Sequence, residues 1–291
     1  MAKIFREIIA YLLIRIYYFN KPNNEGIISI YLHNPSKSLF EKILKWLVNK
    51  NYKFISIKEL ENIINQKLVT EKSVFISLDD GWIGNLELID LIEKYKVPVA
   101  IFIPTDAVKN GNYWWEYAKI KGQNKYSGIE KLEDFKKLPE DVFRNKVAIL
   151  KSNYNLKRSC ITLDGLKKID KHELISIGSH TVTHPILKKC SIETQTSELL
   201  ESKQILSNWL DKDIEYLAYP NGDYDNNTVE IAERCGYKLA FTINPGEIDV
   251  KSGNPYTLPR NALYEQGGYF ENISKILGIW QKVFDNIEIN L

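Results

Sequence analysis

The chain has 291 residues, 44% of them hydrophobic and 26% charged, with a net charge of +2. That length supplies a real core for one large or two small α/β domains, and the composition is that of an ordinary globular protein. Near-neutral charge with scattered lysines argues against a nucleic-acid binder. Cys160, Cys190 and Cys235, odd in number and without zinc-ribbon or disulfide spacing, predict free thiols in a reducing compartment. Residues 1–22 predict an amphipathic helix, with Ile4, Phe5, Ile8, Ile9, Leu12, Leu13, Ile16 and Tyr17 on one side. Arg6 and Glu7 fall opposite, with Lys3 nearby. Arg6, Glu7 and Arg15 interrupt it too often for a membrane span, and no small-residue cleavage site follows it. Its apolar stripe is expected to pack on the chain's own domain or a partner subunit, or residues 4–18 lie on an anionic membrane face.

After a polar break the pattern is regular through residues 23–291. Residues 27–32 predict a strand. A helix follows from Ser38, where Ser38 and Glu41 have capping-box spacing and Phe40, Leu44, Leu47 and Val48 share a face. Ser56 and Glu59 open a second capped helix. Residues 73–78, "SVFISL", are a strand buried on both faces. Further strands are expected at 98–104, 174–178, 215–220 and 238–243, with helices at 191–210 and 226–235. Alternating strand and helix predicts a parallel sheet, open or closed into a barrel. Residues 105–160 break the rhythm as an insertion over the top of the sheet.

In such folds chemistry gathers at the C-terminal ends of strands. His33 follows the first strand there, Asp79 and Asp80 the third, His180 the strand at 174–178, and Asn221 the one at 215–220. In "GSHTVTHP" two of the chain's four histidines, His180 and His184, stand four apart, so that both can meet one cation on a tight backbone. Two imidazoles and a carboxylate leave a divalent metal with open positions, the arrangement of a hydrolytic site, with zinc the expected ion. A cation beside Asp80 also accounts for the paired carboxylates, since it leaves Asp79 free to take a proton from water. His172 reads as solvent-exposed.

"SLDDG" with "SHTVTH" resembles the first two motifs of the polysaccharide deacetylases, carbohydrate esterase family 4. The resemblance implies a distorted (β/α) barrel of about seven parallel strands that removes N-acetyl groups from sugars. It implies Asp79 as catalytic base and Asp80, His180 and His184 as metal ligands. "AYPNGDYD" (218–225) resembles the third motif, a groove wall in which the Asn221 N–H faces the oxyanion, with Tyr219 and Pro220 beside it. Many members place an arginine two residues before that proline; this chain has Ala218, and Arg260 in "TLPRN" resembles a late arginine that substitutes. No histidine follows His184, so the family's late acid histidine is missing. The subgroup acting on poly-N-acetylglucosamine carries its acid histidine on the first strand, which places His33 of "IYLHN" as general acid. Trp82, Trp114, Trp115 and Tyr224 are candidate sugar-stacking walls. The expected substrate is an N-acetylated glycan of a bacterial surface or its precursor. The expected location is the cytoplasm, at the membrane's inner face if the first helix docks there. A glycan-binding barrel with weak chemistry, and a hydrolase of other C–N amide bonds, remain alternatives. Oligomeric state is left open.

Overall fold

The computed structural model describes residues 2–19, 26–68, 71–120 and 132–284. Part of the expected insertion, 121–131, lies outside these. The strands are β1 (Ile27–Leu32), β2 (Lys53–Phe54), β3 (Ser73–Leu78), β4 (Val99–Ile103), β5 (Ile175–Ser179), β6 (Tyr216–Ala218), β7 (Leu239–Phe241), β8 (Glu247–Ile248) and β9 (Asn261–Ala262). The helices before β4 are α1 (Ala2–Phe19), α2 (Lys37–Asn49), α3 (Ile57–Gln66) and α4 (Ile89–Tyr95). Between β4 and β5 come α5 (Thr105–Asn110), α6 (Trp114–Ala118), α7 (Leu132–Lys136), α8 (Glu140–Asn153) and α9 (Leu163–Asp170). The remainder are α10 (Ile192–Leu210), α11 (Asn226–Arg234), α12 (Tyr269–Ile276) and α13 (Ile279–Phe284).

The sheet runs β7-β6-β5-β4-β3-β1-β8, and only β8 is antiparallel to its neighbour. β2 pairs with the start of β3 and β4 with its end. At the far side, Leu258 bridges Phe241 of β7, and β9 pairs with β1. Residues 258–262 therefore stand between the two ends of the sheet, and the result is a distorted (β/α) barrel. Strand alternation sorts the side chains into two cores. Ile27, Phe75, Ala100, Phe102, Tyr216, Ala218, Leu239 and Phe241 fill the barrel interior. Their neighbours Ile28, Val74, Ile76, Ile101, Ile177 and Leu217 pack outward under the helices.

Several local expectations change. Ser36, not Ser38, caps α2 by accepting from the Leu39 N–H; the helix starts at Lys37, which leaves Ser38 inside its first turn, and Glu41 pairs with Lys94 and Tyr95. Val48 is exposed, while Ile43 and Trp46 complete the buried face. The Ser56–Glu59 capping box forms. Within the insertion, Trp114, Tyr117, Phe135 and Leu150 make a small core of their own. The three cysteines are free. His172 is half-buried rather than exposed, held between Glu93 and the Leu174 N–H.

α1 docks through the side that the sequence marks as polar. Arg6 pairs with the buried Glu271 of α12, and Glu7 accepts the Phe270 and Glu271 N–H groups at that helix's start. Ala10 and Ile14 pack beside them. Gly268 leaves room for that carboxylate, since a Cβ would fall 1.9 Å from the Glu7 carboxyl carbon and displace it.

Candidate active site

β3 explains the adjacent aspartates. Phe75, Ser77 and Asp79 follow the inward parity of the strand, so Asp79 enters the barrel mouth. A regular strand would send Asp80 to the opposite face. Its backbone instead turns to a φ of 73°, and Gly81 follows at 66°. The left-handed step breaks the alternation and brings both carboxylates to one pocket. Asp80, Thr181, His184 and Asn221 are the non-glycine positive-φ residues at this site; Lys67, Lys96 and Asp211 have the same geometry as ordinary helix C-caps. Such strain persists only where its surroundings hold it.

The two carboxylates have different surroundings. Arg260, fully buried, grips Asp79 with Nη1 at 2.7 Å from Oδ1 and Nη2 at 2.8 Å from Oδ2. Its guanidinium also donates to Ser77 and to the Thr242 carbonyl, and it lies over the rings of Tyr31, Phe102 and Phe241. Burial works to raise the Asp79 carboxyl, but the charge of Arg260, with His180 and these hydrogen bonds, outweighs it and holds Asp79 below the usual carboxylate range. Asp80 lacks such a partner: burial, with the nearby charge of Asp79, pushes it up.

Around Asp80 the imidazole nitrogens converge. Nε2 of His180 is 3.5 Å and Nε2 of His184 3.4 Å from Asp80 Oδ1, which is buried with no hydrogen-bond partner. His180 Nδ1 donates to the Ala218 carbonyl at 2.7 Å, which leaves its Nε2 lone pair facing Asp80. Burial lowers His180 and, with the charge of His180, lowers His184 well below the ordinary imidazole value, so both rings are neutral donors. Among the described residues these three form the one group whose ligand atoms all lie within 4.8 Å of one another. Three buried ligand atoms that converge around an unsatisfied oxygen fit a divalent cation.

The ring of supports is dense. Trp82 Nε1 donates to the other Asp80 oxygen, Tyr113 donates to the Asp80 carbonyl, and Trp114 Nε1 donates to the His184 carbonyl. Tyr113 stacks on Trp115, which meets the His184 ring edge-on. Glu198 of α10, buried, accepts the Val182 and Thr183 N–H groups and the Thr183 hydroxyl, fixing the turn between the two histidines. On the opposite wall the N–H groups of His33 and Asn34 donate to Glu265, and Asn85 donates to the His33 carbonyl.

One cleft of about 760 Å³ is lined by His33, Asp79, Asp80, Trp82, Trp114, Trp115, His180, His184, Asn221 and Glu265, with Lys119, Lys136 and Lys157 at its rim. A second cleft, about 500 Å³, bordered by Gly246, Leu277 and Gln281, holds none of these groups. Four sequence candidates are not among the residues lining the first cleft: Arg260, fully buried against Asp79, and Tyr219, Pro220 and Tyr224. Tyr219 is fully buried with its hydroxyl on the Tyr256 carbonyl, Tyr224 stacks on it, and Pro220 is buried beside them. Trp114 is nearly buried in the insertion core, with its indole N–H spent, which leaves Trp82 and Trp115 as half-buried aromatic walls. The sequence reading missed Tyr113, Glu198 and Glu265, whose long-range partners no spacing reveals. Ser77 did carry a signal, as a polar residue at inward parity in an apolar strand.

A family model described as polysaccharide deacetylase matches residues 66–240. YxkH of Bacillus subtilis strain 168, a protein named for the same family, is 24% identical over 212 residues, 72% of this chain and 59% of YxkH. The poly-beta-1,6-N-acetyl-D-glucosamine N-deacetylase of Staphylococcus aureus strain MSSA476 is 23% identical over 84% of this chain and 71% of its own. The chain thus spans well under the full length of both relatives. Among solved structures, IcaB from Ammonifex degensii superposes with a TM-score of 0.63 at 17% identity, covering 88% of this chain and 97% of IcaB. The Streptococcus pyogenes deacetylase PplD, in complex with acetate, does so at 0.61 and 20% identity, covering 88% and 99%. At these identities the structural likeness establishes the fold.

Proposed function

The chain belongs to the polysaccharide deacetylase family, and from that premise we propose that it is a metal-dependent hydrolase removing acetyl groups from N-acetylated amino sugars of a bacterial surface polysaccharide or its precursor. The observation that carries the reading is the pairing of a buried Asp80–His180–His184 donor set with a neighbouring carboxylate, Asp79, held ionised by Arg260. Asp80, His180 and His184 would hold the ion, and two imidazoles with one carboxylate favour zinc. When bound, it supplies Lewis-acid chemistry, acidifying water and polarising the acetyl carbonyl.

The chain's own residues do the rest. Asp79 receives the proton of the attacking water. Arg260 keeps that carboxylate charged and aimed into the cleft by occupying both its oxygens, the role that Ala218 leaves vacant in the third motif. The Asn221 backbone N–H is assigned to the carbonyl oxygen as it gains charge. His33 gives a proton to the amine as the C–N bond breaks, and acetate leaves. Trp82 and Trp115 offer faces to the sugar ring.

Acetate release from N-acetylglucosamine oligomers by the zinc-loaded protein tests this. Asp79→Asn is expected to lower kcat by at least about 100-fold with binding retained. Glycan binding without acetate release would instead indicate a binding barrel, and turnover confined to small amides a hydrolase of other C–N bonds.

A further inference from the structure

α1 is assembled inside out. Seven of its large outward side chains are apolar: Ile4, Phe5, Ile8, Tyr11, Leu12, Ile16 and Phe19, from 43% to 84% exposed. Tyr11 continues the patch onto Phe270 at the start of α12. A contiguous apolar face of this size marks an interaction site. Of the four charged residues in the helix, Arg6 and Glu7 are consumed by docking on α12. The two that remain exposed, Lys3 and Arg15, are both basic.

Their placement selects the partner. Arg15 sits on the outward face, with Tyr11 and Leu12 one turn before it and Phe19 one turn after. An apolar protein surface laid on that face would bury the guanidinium without a counter-charge, at a large cost. A bilayer interface takes the apolar side chains into its acyl boundary while Arg15 reaches the phosphates. No helix among the described residues is long and apolar enough to cross a membrane. We therefore propose that α1 lies in the plane of an anionic membrane surface, apolar face inward, and anchors the barrel there.

The docked helix lies next to the cleft rim. Arg6 lies over the Tyr264 ring, and the next residue, Glu265, lines the cleft and holds the His33 N–H. Docking would set this rim beside the lipid surface, so that membrane-attached glycan reaches it; that consequence rests on the deacetylase reading, whereas the anchoring itself does not.

The full chain should be sedimented with vesicles of phosphatidylglycerol and phosphatidylcholine, and with phosphatidylcholine alone. Binding is expected on the anionic vesicles and should weaken as salt is raised. Ile8→Ser with Leu12→Ser should reduce it roughly ten-fold or more, without changing the thermal midpoint or turnover of a soluble oligosaccharide. Arg15→Gln should reduce it several-fold on anionic vesicles only. No sedimentation with anionic vesicles, or sedimentation indifferent to both variants, overturns the proposal. So does a dimer by light scattering that the double substitution dissolves, which would give this face to a second copy. Because vesicle binding needs no turnover, its failure and a failure of the deacetylase reading are separate results.

Discussion

Asp79 and Arg260 lie 181 positions apart and share two short hydrogen bonds in a fully buried setting. Removing one partner of such a pair leaves the other charge stranded, so Arg260→Met should cost about 3–5 kcal/mol in urea unfolding at pH 7. The pH dependence follows from the depressed Asp79. A carboxyl whose folded-state value lies below its unfolded one contributes stability above roughly pH 4, and that contribution disappears as pH falls through the folded value. On the proposed deacetylase reading the same shift sets the acid limb of kcat/KM, which should lie below the ordinary carboxylate range and move toward neutral pH in Arg260→Met. A variant with unchanged stability and an unmoved limb would show that the clamp neither orders nor charges the base.

The turn from His180 to His184 is an element whose shape depends on α10, a helix that supplies none of the three candidate ligand atoms. Thr181 and His184 both have positive φ, and the Val182 and Thr183 N–H groups between them point to the Glu198 carboxylate. Spacing alone placed two histidines within reach of one ion; it could not show that α10 reaches up to hold the turn, because no periodicity marks one buried glutamate on an otherwise amphipathic helix. Glu198→Ala should weaken zinc affinity by roughly 10–100-fold in competition with a chelator, as loss of outer supports to metal ligands does. Glu198→Gln keeps one oxygen acceptor and should recover most of that affinity. Equal affinity in the alanine variant would reduce Glu198 to a packing role. The first helix teaches a related lesson. Its amphipathicity was plain in the sequence, but which face met the protein was not, because Glu271 and the exposed start of α12 lie more than 260 residues away.

Across the whole molecule, positions at strand ends were enough to bring His33, Asp79, His180 and Asn221 to one cleft, since a parallel barrel collects its strand C-termini at one mouth, whereas Asp80 joins them only through its left-handed backbone step. Closure of the barrel was less legible: β9 is two residues long and β8 runs antiparallel, and neither has a pattern a periodicity would find. That closing segment carries Arg260, so the completeness of the site depends on the least regular part of the sheet. The cost of assembling it shows in Asp80, pushed up by burial and by the charge of Asp79. A carboxyl whose folded-state value is raised favours folding at low pH, and this contribution is lost as pH rises through the folded value. At pH 7 the metal-free protein therefore keeps a destabilising group that an ion would satisfy. Saturating zinc, roughly a thousand times its dissociation constant, should add about 4 kcal/mol and raise the melting temperature by on the order of 10 °C, and a chelator should reverse it. Asp80→Asn should melt at or above the metal-free parent while losing most of the zinc response. If the asparagine variant instead melts well below the metal-free parent, Asp80 is a structural group and the metal reading of the cleft fails with it.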